Sequence, residues 1–341
     1  MAGVVNVALV GCGYWGVNLA RALAQSPRFQ LSWVCDADPA ALVRVGRVAP
    51  LARCTSELET VLADDRVEAV VVATPVASHA AVATAVLESG RHVLVEKPLA
   101  RSVAEAEQLC RLAAERDRVL MVGHTFLYNG AVRRIREMID AGELGELRYV
   151  FARRLNLGIV RHDVDALWNL APHDVSMIQH WLDRTVVRVS AVGHAFLQPG
   201  IADVVFAHMT YAGNIAAHIQ VSWLDPGKVR QATLVGSRRM LVYDDTSADS
   251  RITVYDKGID VANIDDNLGS FETYAQHQLK VRAGDVWIPR VEYPEPLVTE
   301  VHEFADSIEA GRPPLTDGRS GVEVVRILEQ LSAAMVVEQA G

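Results

Sequence analysis

Five short apolar runs alternate with helical segments over the first 122 residues. The runs are VVNVALV, FQLSWVC, VEAVVVA, HVLVE and RVLMVG. Each is almost continuously hydrophobic, which is typical of strands that are covered on both faces. A repeated strand-helix order predicts a doubly wound parallel sheet, because parallel strands need crossover connections. We therefore expect an α/β domain over residues 1–122.

The rhythm of the sequence changes after residue 123. One helix (AVRRIREMIDAG), the turn GELG and a strand (LRYVFARRL) precede a second helix, which we expect to start near His173. Strand-rich sequence follows, and the chain ends in the helical patterns VTEVHEFADSIEAG and SGVEVVRILEQLSAAM. This order predicts an α+β domain over residues 123–341 with a large, open, mainly antiparallel sheet. Its C-terminal helices can pack back on the first domain.

Three segments carry the spacing of a capping box, in which a serine and a glutamate satisfy the free amides of a first helical turn. The pairs are Ser56 with Glu59, Ser102 with Glu105, and Ser320 with Glu323. Each pair predicts the start of a helix at its serine.

The bulk composition limits the classes of function. A length of 341 residues exceeds what one compact core usually serves, so two domains are expected. A formal net charge of −9 argues against nucleic acid as a main partner, because a phosphate backbone requires an excess of Lys and Arg along one face. A few local arginines can still bind an anionic small molecule.

The cysteines and the apolar segments indicate a cytoplasmic protein. The four cysteines lie in the first third without metal-binding spacing, so we expect reduced thiols. No basic segment precedes the first apolar run, which argues against a signal peptide. The stretch AVVVATPVASHAAVATAVL is long enough to span a membrane, but polar residues and a proline interrupt it. We predict a strand, a turn and a helix there, and no membrane association.

The motif Gly11-Cys12-Gly13-Tyr14-Trp15-Gly16 lies between the first strand and the first helix. In a dinucleotide site the first glycine allows a tight turn, the second lets the backbone approach the pyrophosphate, and the third lets helix pack on strand. Asp36 ends the second strand, where a carboxylate accepts hydrogen bonds from the adenosine ribose and repels a 2′-phosphate. The pattern predicts a Rossmann domain that binds NAD rather than NADP.

The segment ATPVASH begins at the end of the apolar run VEAVVVA. Ligands of open α/β sheets lie beyond the C-terminal ends of the strands, so Thr74, Pro75 and His79 are predicted to line the cofactor. For His79 a second interpretation stays open, in which it is a polar residue at a helix start.

Two further motifs carry a family resemblance. Glu96-Lys97-Pro98 and the later WNLAPHDVSMI, together with the glycine motif, Asp36 and ATP, resemble the glucose-fructose oxidoreductase / inositol dehydrogenase (Gfo/Idh/MocA) family of NAD(P)-dependent sugar and polyol dehydrogenases. The resemblance covers essentially the whole chain. It implies that the EKP lysine contacts the nicotinamide side and the substrate hydroxyl, and that Glu96 lies at the cofactor. Members typically have a cis peptide before the proline.

Lysine is an unusual choice at position 97, because only four of the 33 basic residues are lysines. A partly desolvated ammonium at a strand end can hydrogen-bond a reacting oxygen, and its pKa can fall enough for proton transfer. Arginine can do the first but not the second, because its guanidinium stays protonated. Lys97 is therefore predicted to be catalytic rather than an incidental surface residue.

The family usually shows Asp-x-x-x-His, in which histidine is the general base. The matching positions here are Asn169 and His173, so an amide replaces the carboxylate. Asn169 can fix a hydroxyl by hydrogen bonding but cannot stabilise an imidazolium by charge. This departure makes Lys97 a partner or substitute for His173 as the base. The nearby Asp174 is expected to cap the helix.

Four more residues are candidates for the substrate pocket. They are Tyr128 and Asn129, past the apolar run RVLMVG, and Arg154 and Asn156, at the end of the first strand of the second domain. Each is as readily explained by a structural role. The eleven histidines show no HExxH motif, and we predict no metal site.

The sequence predicts an oxidoreductase that transfers hydride between a sugar secondary alcohol and NAD. The segments GCGYWGVNL, RLNLG, LWNLAPHD and VSWLDPGKVR are similar to a nucleotide-sugar branch of the family. That similarity implies C3 oxidation of a UDP- or TDP-linked hexose or 2-acetamido sugar, in glycoside, aminoglycoside or polysaccharide biosynthesis. The alternatives are a free polyol, inositol or aminoglycoside as substrate, and an inactive NAD-responsive binding protein. An open sheet needs a cover, so a homodimer or homotetramer through the second domain is expected.

Overall fold

The structure is a computed structural model that describes residues 3–158, 160–259 and 281–339. The chain divides into two compact units. The first runs to Asn129 and also includes Tyr293–Glu329. The second comprises Gly130–Glu292 and the residues from Gln330 onward.

Helices connect most of the strands of the first unit, whereas two helices lie near the start of the second unit's sequence. The helices are α1 (Tyr14–Gln25), α2 (Pro39–Gly46), α3 (Leu58–Leu62), α4 (Val76–Glu88), α5 (Val103–Glu115), α6 (Gly130–Asp140), α7 (Ala166–Leu182), α8 (Pro296–Ala310) and α9 (Gly318–Ala334). A short 3-10 helix covers Thr125–Tyr128. Among the described residues, no helix is both long and apolar enough to cross a bilayer.

The first unit contains a parallel sheet. Its strands are β1 (Val5–Val10), β2 (Phe29–Cys35), β3 (Arg53–Thr55), β4 (Ala69–Val72), β5 (His92–Glu96) and β6 (Leu120–Gly123). Their order is β3-β2-β1-β4-β5-β6, and all neighbours run parallel. The order reverses direction between β1 and β4, where α/β sheets open a crevice for ligands. The predicted doubly wound Rossmann sheet is confirmed.

The core of the first unit includes a helix from the C-terminal part of the chain. Val301 and Phe304 of α8 are fully buried in the same cluster as Leu19 and Leu23 of α1. The Phe304 ring stacks on Phe29 of β2, with 6.5 Å between the centroids. Helix α8 is therefore part of this unit although some 160 residues of the second unit precede it.

One of the three predicted capping boxes is confirmed as the start of a helix. Ser102 is the N-cap of α5, and its hydroxyl accepts the Glu105 N–H at 3.2 Å. The other two predictions were wrong. Helix α3 begins after Glu57 with no side-chain cap, because Thr55 instead accepts the Glu57 N–H. Ser320 lies inside α9, where it donates its N–H to the Asp317 carboxylate at 2.8 Å.

The second unit contains a mixed, mainly antiparallel sheet of nine strands among the described residues. The strands are β7 (Leu147–Leu157), β8 (Val186–Ala195), β9 (Val204–Tyr211), β10 (Ile215–Ser222), β11 (Leu224–Gly236), β12 (Met240–Asp244), β13 (Ile252–Ile259), β14 (Val281–Trp287) and β15 (Met335–Gln339). Their order is β14-β13-β12-β11-β7-β10-β9-β8-β15. Only the pairs β7–β10 and β8–β15 are parallel in this part of the chain. The predicted mainly antiparallel sheet is confirmed.

The two faces of the sheet differ in their cover. Helix α7 packs on β7, β9 and β10, over residues such as Val150 and Ala217 that are fully buried. The alternate residues on the other face include Tyr149, Val192 and Phe206, which are 45%, 39% and 37% exposed. A sheet with apolar side chains on an uncovered face offers a surface for association.

Replacing the Ser102 cap tests the helix assignment in the first unit. Ser102→Ala should lower the free energy of unfolding by about 1 kcal/mol, because the Glu105 amide loses its acceptor. The matched control is Ser56→Ala, since Ser56 caps no helix. Urea denaturation followed by circular dichroism measures both, and equal losses in the two variants would contradict the assignment.

Candidate active site

The glycine turn connects β1 to α1 in a conformation that excludes side chains. Gly11 has φ +96°, and a Cβ atom there would lie 2.5 Å from the Ala73 carbonyl carbon. A Cβ atom at Gly16 would collide with the Gly11 carbonyl oxygen. Gly13, the N-cap of α1, has open space around it. The turn thus has the tight bend, the close packing and the open approach that a pyrophosphate needs at a helix N-terminus.

Asp36 ties the end of β2 to this turn. Its Oδ2 accepts the Cys12 N–H at 2.6 Å, and its Oδ1 accepts the Asp38 N–H at 2.8 Å. The carboxylate is therefore fixed beside the glycine turn, where an adenosine ribose is expected. Burial raises the pKa of the neighbouring Cys12 thiol to about 12, so this cysteine is an unreactive packing residue. These residues fit a dinucleotide.

His79 joins two segments at the strand ends. Its Nδ1 lies 2.9 Å from the Pro98 carbonyl oxygen and its Nε2 lies 2.8 Å from the Thr74 carbonyl oxygen. Burial lowers the pKa of this histidine, which keeps the ring neutral and leaves it one N–H to donate. The structure places His79 between the ATP segment and the EKP segment, with both ring nitrogens against backbone. The start of α4 itself has Pro75 at its N-cap, and Thr74 precedes it.

Glu96 and Lys97 lie at the C-terminal end of β5, and a cis peptide joins Lys97 to Pro98. The Glu96 carboxyl is buried and accepts the indole N–H of Trp15, which extends from the glycine turn. Its other oxygen accepts the Lys97 backbone N–H at 3.2 Å. Burial raises the pKa of Glu96 to about 7, while the Lys97 charge opposes that rise. In contrast, Tyr14 is almost fully exposed.

Two buried polar side chains near Glu96 were not predicted from the sequence. His124 follows β6, is 1% exposed, and has a pKa lowered to about 3 by burial and by the Lys97 charge. Glu300 of α8 is 0% exposed, and its Oε2 accepts the Thr125 hydroxyl at 2.8 Å. The strand-end rule that selected Thr74 and Lys97 would also have selected His124. No sequence signal separates Glu300 from a solvated glutamate.

In the second unit, α7 carries Asn169 and His173. The helix begins at Ala166, because the Asp165 side chain accepts the Trp168 N–H at 2.9 Å. The prediction that it starts near His173 was wrong, since Pro172 lies inside the helix rather than at its first turn. Asn169 and His173 are one helical turn apart and both are partly exposed. A shared helix face therefore presents an amide and an imidazole.

Arg154 and Asp174 form a buried ion pair within the second unit. Arg154 Nε and Nη2 donate to the two Asp174 oxygens at 2.7 and 3.2 Å, and the residues are 4% and 2% exposed. The expectation that Asp174 caps the helix was wrong, because it lies in the middle of α7. The pair joins β7 to the residue after His173. Asn156, two residues after Arg154, is partly exposed.

Tyr128 and Asn129 are buried at the end of the first unit. The Tyr128 hydroxyl lies 3.0 Å from the Thr316 hydroxyl, and burial raises the pKa of the phenol well above its usual value. The Asn129 N–H donates to the Phe126 carbonyl at 3.0 Å. The buried tyrosine thus links the 3-10 helix to the segment that precedes α9.

Two family models match the chain. The first, an oxidoreductase family with an NAD-binding Rossmann fold (GFO/IDH/MocA), matches residues 5–124. The second, the GFO/IDH/MocA C-terminal domain, matches residues 132–242. Together they cover more than half of the 341 residues. The first unit is therefore an NAD-binding Rossmann domain.

Relatives match along nearly the whole length. UDP-N-acetylglucosamine 3-dehydrogenase of Acidithiobacillus ferrooxidans is 28% identical over 334 residues, which is 97% of each chain. A solved structure of that enzyme, GnnA, superposes with a TM-score of 0.81 at 26% identity, again over 97% of each chain. GenD2 from gentamicin A biosynthesis, solved in complex with NAD, gives 0.80 at 26% identity over 98% of this chain and 95% of its own.

Removing the ring nitrogens of His79 tests its link between the two strand-end segments. His79→Phe should lower the free energy of unfolding by about 1–3 kcal/mol, because one of the two carbonyl oxygens beside the ring loses its N–H donor. The control Ala81→Gln, exposed on the same helix, should stay within about 0.5 kcal/mol of wild type. Urea denaturation measures both. A His79→Phe variant as stable as the control would remove this assignment.

Proposed function

The chain belongs to the Gfo/Idh/MocA oxidoreductase family, and on that premise we propose that it oxidises a secondary alcohol of a nucleotide-linked sugar with NAD. The observation that carries the proposal is the placement of Lys97. The lysine ends β5 in the NAD-binding unit, and the neighbouring Glu96 carboxyl bonds both the Lys97 amide and Trp15 of the glycine turn. The Glu96 carboxyl therefore joins Lys97 to the glycine turn, which is proposed to hold the dinucleotide.

Oxidation of a secondary alcohol removes a proton from oxygen and a hydride from carbon. The bound nicotinamide supplies the hydride acceptor. We assign the proton to the His173 imidazole, because a neutral imidazole nitrogen can accept a proton at neutral pH. Lys97 hydrogen-bonds the same oxygen and can share the proton transfer, since Asn169 cannot stabilise an imidazolium by charge. Asn169 and Asn156 orient hydroxyl groups of the sugar.

The remaining candidate residues are assigned supporting roles in the proposed reaction. The Arg154–Asp174 ion pair holds the turn of α7 that carries His173. Tyr128 and Asn129 support the 3-10 helix after β6 from buried positions. Thr74, Pro75 and His79 shape the cofactor side of the site.

The proposed substrate is a UDP- or TDP-linked hexose or 2-acetamido sugar, oxidised at C3. It is supported by the likeness to UDP-N-acetylglucosamine 3-dehydrogenase over 97% of both chains. A 3-keto sugar is a substrate for an aminotransferase, so the product would enter amino-sugar synthesis. The likeness to GenD2 favours a second candidate, an unlinked aminoglycoside or polyol in antibiotic biosynthesis.

We also propose the form in which the protein works. The uncovered face of the second unit's sheet, with Tyr149, Val192 and Phe206, would be covered by a second copy in a homodimer or homotetramer. All four cysteines are free, which suits a reducing cytoplasm.

A function of another class is an NAD-responsive binding protein without catalysis. Asn169 favours it, because the family's usual carboxylate is missing there. NADH formation at 340 nm across a panel of nucleotide sugars, polyols and aminoglycosides separates the two functions. A thermal-shift screen of the same panel reveals binding without turnover. The proposed enzyme forms NADH with a nucleotide sugar, whereas a shift with no NADH from any compound would favour the binding protein.

Lys97→Met and His173→Ala test the catalytic assignment. Each should lower kcat by about 10²- to 10⁴-fold, because each removes a group that handles the alcohol proton. NAD binding, measured by calorimetry, should persist in both. The control Lys257→Met removes an exposed lysine and should keep wild-type turnover. Turnover near wild type in both test variants would exclude the mechanism.

Asp36→Ser tests the preference for NAD. The ratio of kcat/KM with NAD to that with NADP should fall at least about tenfold, since a bidentate ribose contact and a charge that repels the 2′-phosphate are both lost. The control is Asp38→Ser, two residues further on, where the carboxylate caps α2 instead. An unchanged ratio in Asp36→Ser, or a wild-type protein that prefers NADP, would contradict the assignment.

A further inference from the structure

Two buried glutamates of the first unit contact the end of β6 and the residues that follow it. The Glu96 carboxyl packs on Gly123, where an added Cβ atom would lie 2.9 Å from the carboxyl carbon. The Glu300 carboxyl bonds Thr125, two residues further along the chain. The Glu96 charge raises the pKa of Glu300, and two buried carboxylates repel each other because little water screens them.

The two carboxyl groups have very different surroundings. Both Glu96 oxygens accept an N–H, one from the Trp15 indole and one from the Lys97 backbone, and the Lys97 charge acts on the same group. Glu300 receives one hydroxyl donor on Oε2, and its buried Oε1 has no hydrogen-bond partner among the described residues. A carboxylate is therefore far better stabilised at Glu96 than at Glu300.

Among the described residues, the other titratable groups around Glu300 are neutral or already belong to ion pairs. His124 is buried, and its lowered pKa keeps the ring neutral. Burial raises the pKa of Tyr128 well above its usual value, so its phenol is neutral as well. On α8 itself, Glu303 pairs with Arg312 and Glu295 pairs with Arg21 of α1. The Lys97 charge acts on the Glu96 carboxyl, and the Glu96 carboxylate balances it.

We propose that Glu96 and Glu300 hold a single proton between them and that this proton resides on Glu300. A neutral Glu300 leaves one carboxylate facing one ammonium, so the buried cluster has no net charge. An ionised Glu300 would add a second negative charge to this cluster. The position of the proton does not rest on the proposed function.

The direction of the pKa shifts agrees with this arrangement. Burial raises the pKa of Glu300 well above its usual value, and the Glu96 charge raises it further. An acid whose folded pKa is raised destabilises the fold as pH rises from the unfolded pKa toward the folded one. Glu300→Gln removes this acid and should therefore raise Tm at about pH 8. It should leave Tm unchanged at about pH 4, where the carboxyl is protonated in both the folded and the unfolded protein.

Infrared spectroscopy of the cofactor-free protein tests the proposal directly. At about pH 8, above the pKa of about 7 of Glu96, the wild type should show the C=O stretch of a buried protonated carboxylic acid, and Glu300→Gln should lose that band. Glu96→Gln should keep the band, but its loss on raising the pH should come at lower pH than in wild type, because the repelling charge is gone. The control Glu309→Gln replaces an exposed, Arg28-paired carboxylate of the same helix and should leave the band intact.

Three results would overturn the proposal. One is the absence of any acid band that depends on Glu300. Another is loss of the band in Glu96→Gln instead, which would place the proton on Glu96. The third is an unchanged titration of the band in Glu96→Gln, which would show that the two groups do not interact. If Glu300→Gln does not fold, Glu300→Asp serves in its place, since it should move the band rather than remove it.

The position of the Glu300 proton and the proposed function can be contradicted independently. A protein with the Glu300 band but no turnover of any sugar keeps the buried proton and loses the proposed function. A protein with turnover but no Glu300 band keeps the function and loses the proton on Glu300.

Discussion

The first unit depends on one buried carboxyl group, that of Glu96. It accepts hydrogen bonds from Trp15 of the glycine turn and from the Lys97 backbone, and it packs on Gly123 at the end of β6. Three strand-end segments are therefore joined at one group. Burying a carboxyl is costly unless donors and a positive charge compensate it, and here Trp15 and Lys97 supply them. His79 adds a second link, between the Thr74 and Pro98 carbonyls.

The second unit uses the same principle on α7. The Arg154–Asp174 pair is almost completely buried and joins β7 to the residue that follows His173. Removing either partner would leave an uncompensated buried charge, so the pair fixes this turn of the helix strongly. The Asp165 cap fixes the start of the same helix. Between them lie Asn169 and His173, on a segment whose backbone has little freedom.

Local patterns in the sequence were enough to predict the glycine turn, the position of Asp36 at a strand end and a doubly wound parallel sheet. Each depends on neighbours in the chain: a glycine at φ +96°, a residue at a strand end, a run of β-branched residues. The start of α7 was mispredicted because proline usually opens a helix, whereas Pro172 lies within this one. Asp165, an ordinary N-cap residue, carried the correct signal.

Burial of single polar residues was beyond the reach of the sequence. Glu300 occupies a helix rich in charged residues, and only the packing of α8 shows that its carboxyl faces the interior. Arg154 and Asp174 are twenty positions apart, so their pairing depends on how α7 folds back over β7. Ser56 and Ser320 satisfy the spacing of a cap, but α3 has Glu57 at its N-cap, and Ser320 lies inside α9 with its own N–H donated to Asp317.

Transfer of deuterium from the sugar to the cofactor tests the central claim most directly. The protein would be incubated with NAD and UDP-N-acetylglucosamine deuterated at C3, and the reduced cofactor would be analysed by mass spectrometry. The account predicts reduced cofactor that carries the deuterium, together with the 3-keto sugar. Reduced cofactor without deuterium would move the oxidation to another carbon, and no reduced cofactor from this or any other nucleotide sugar would contradict the account.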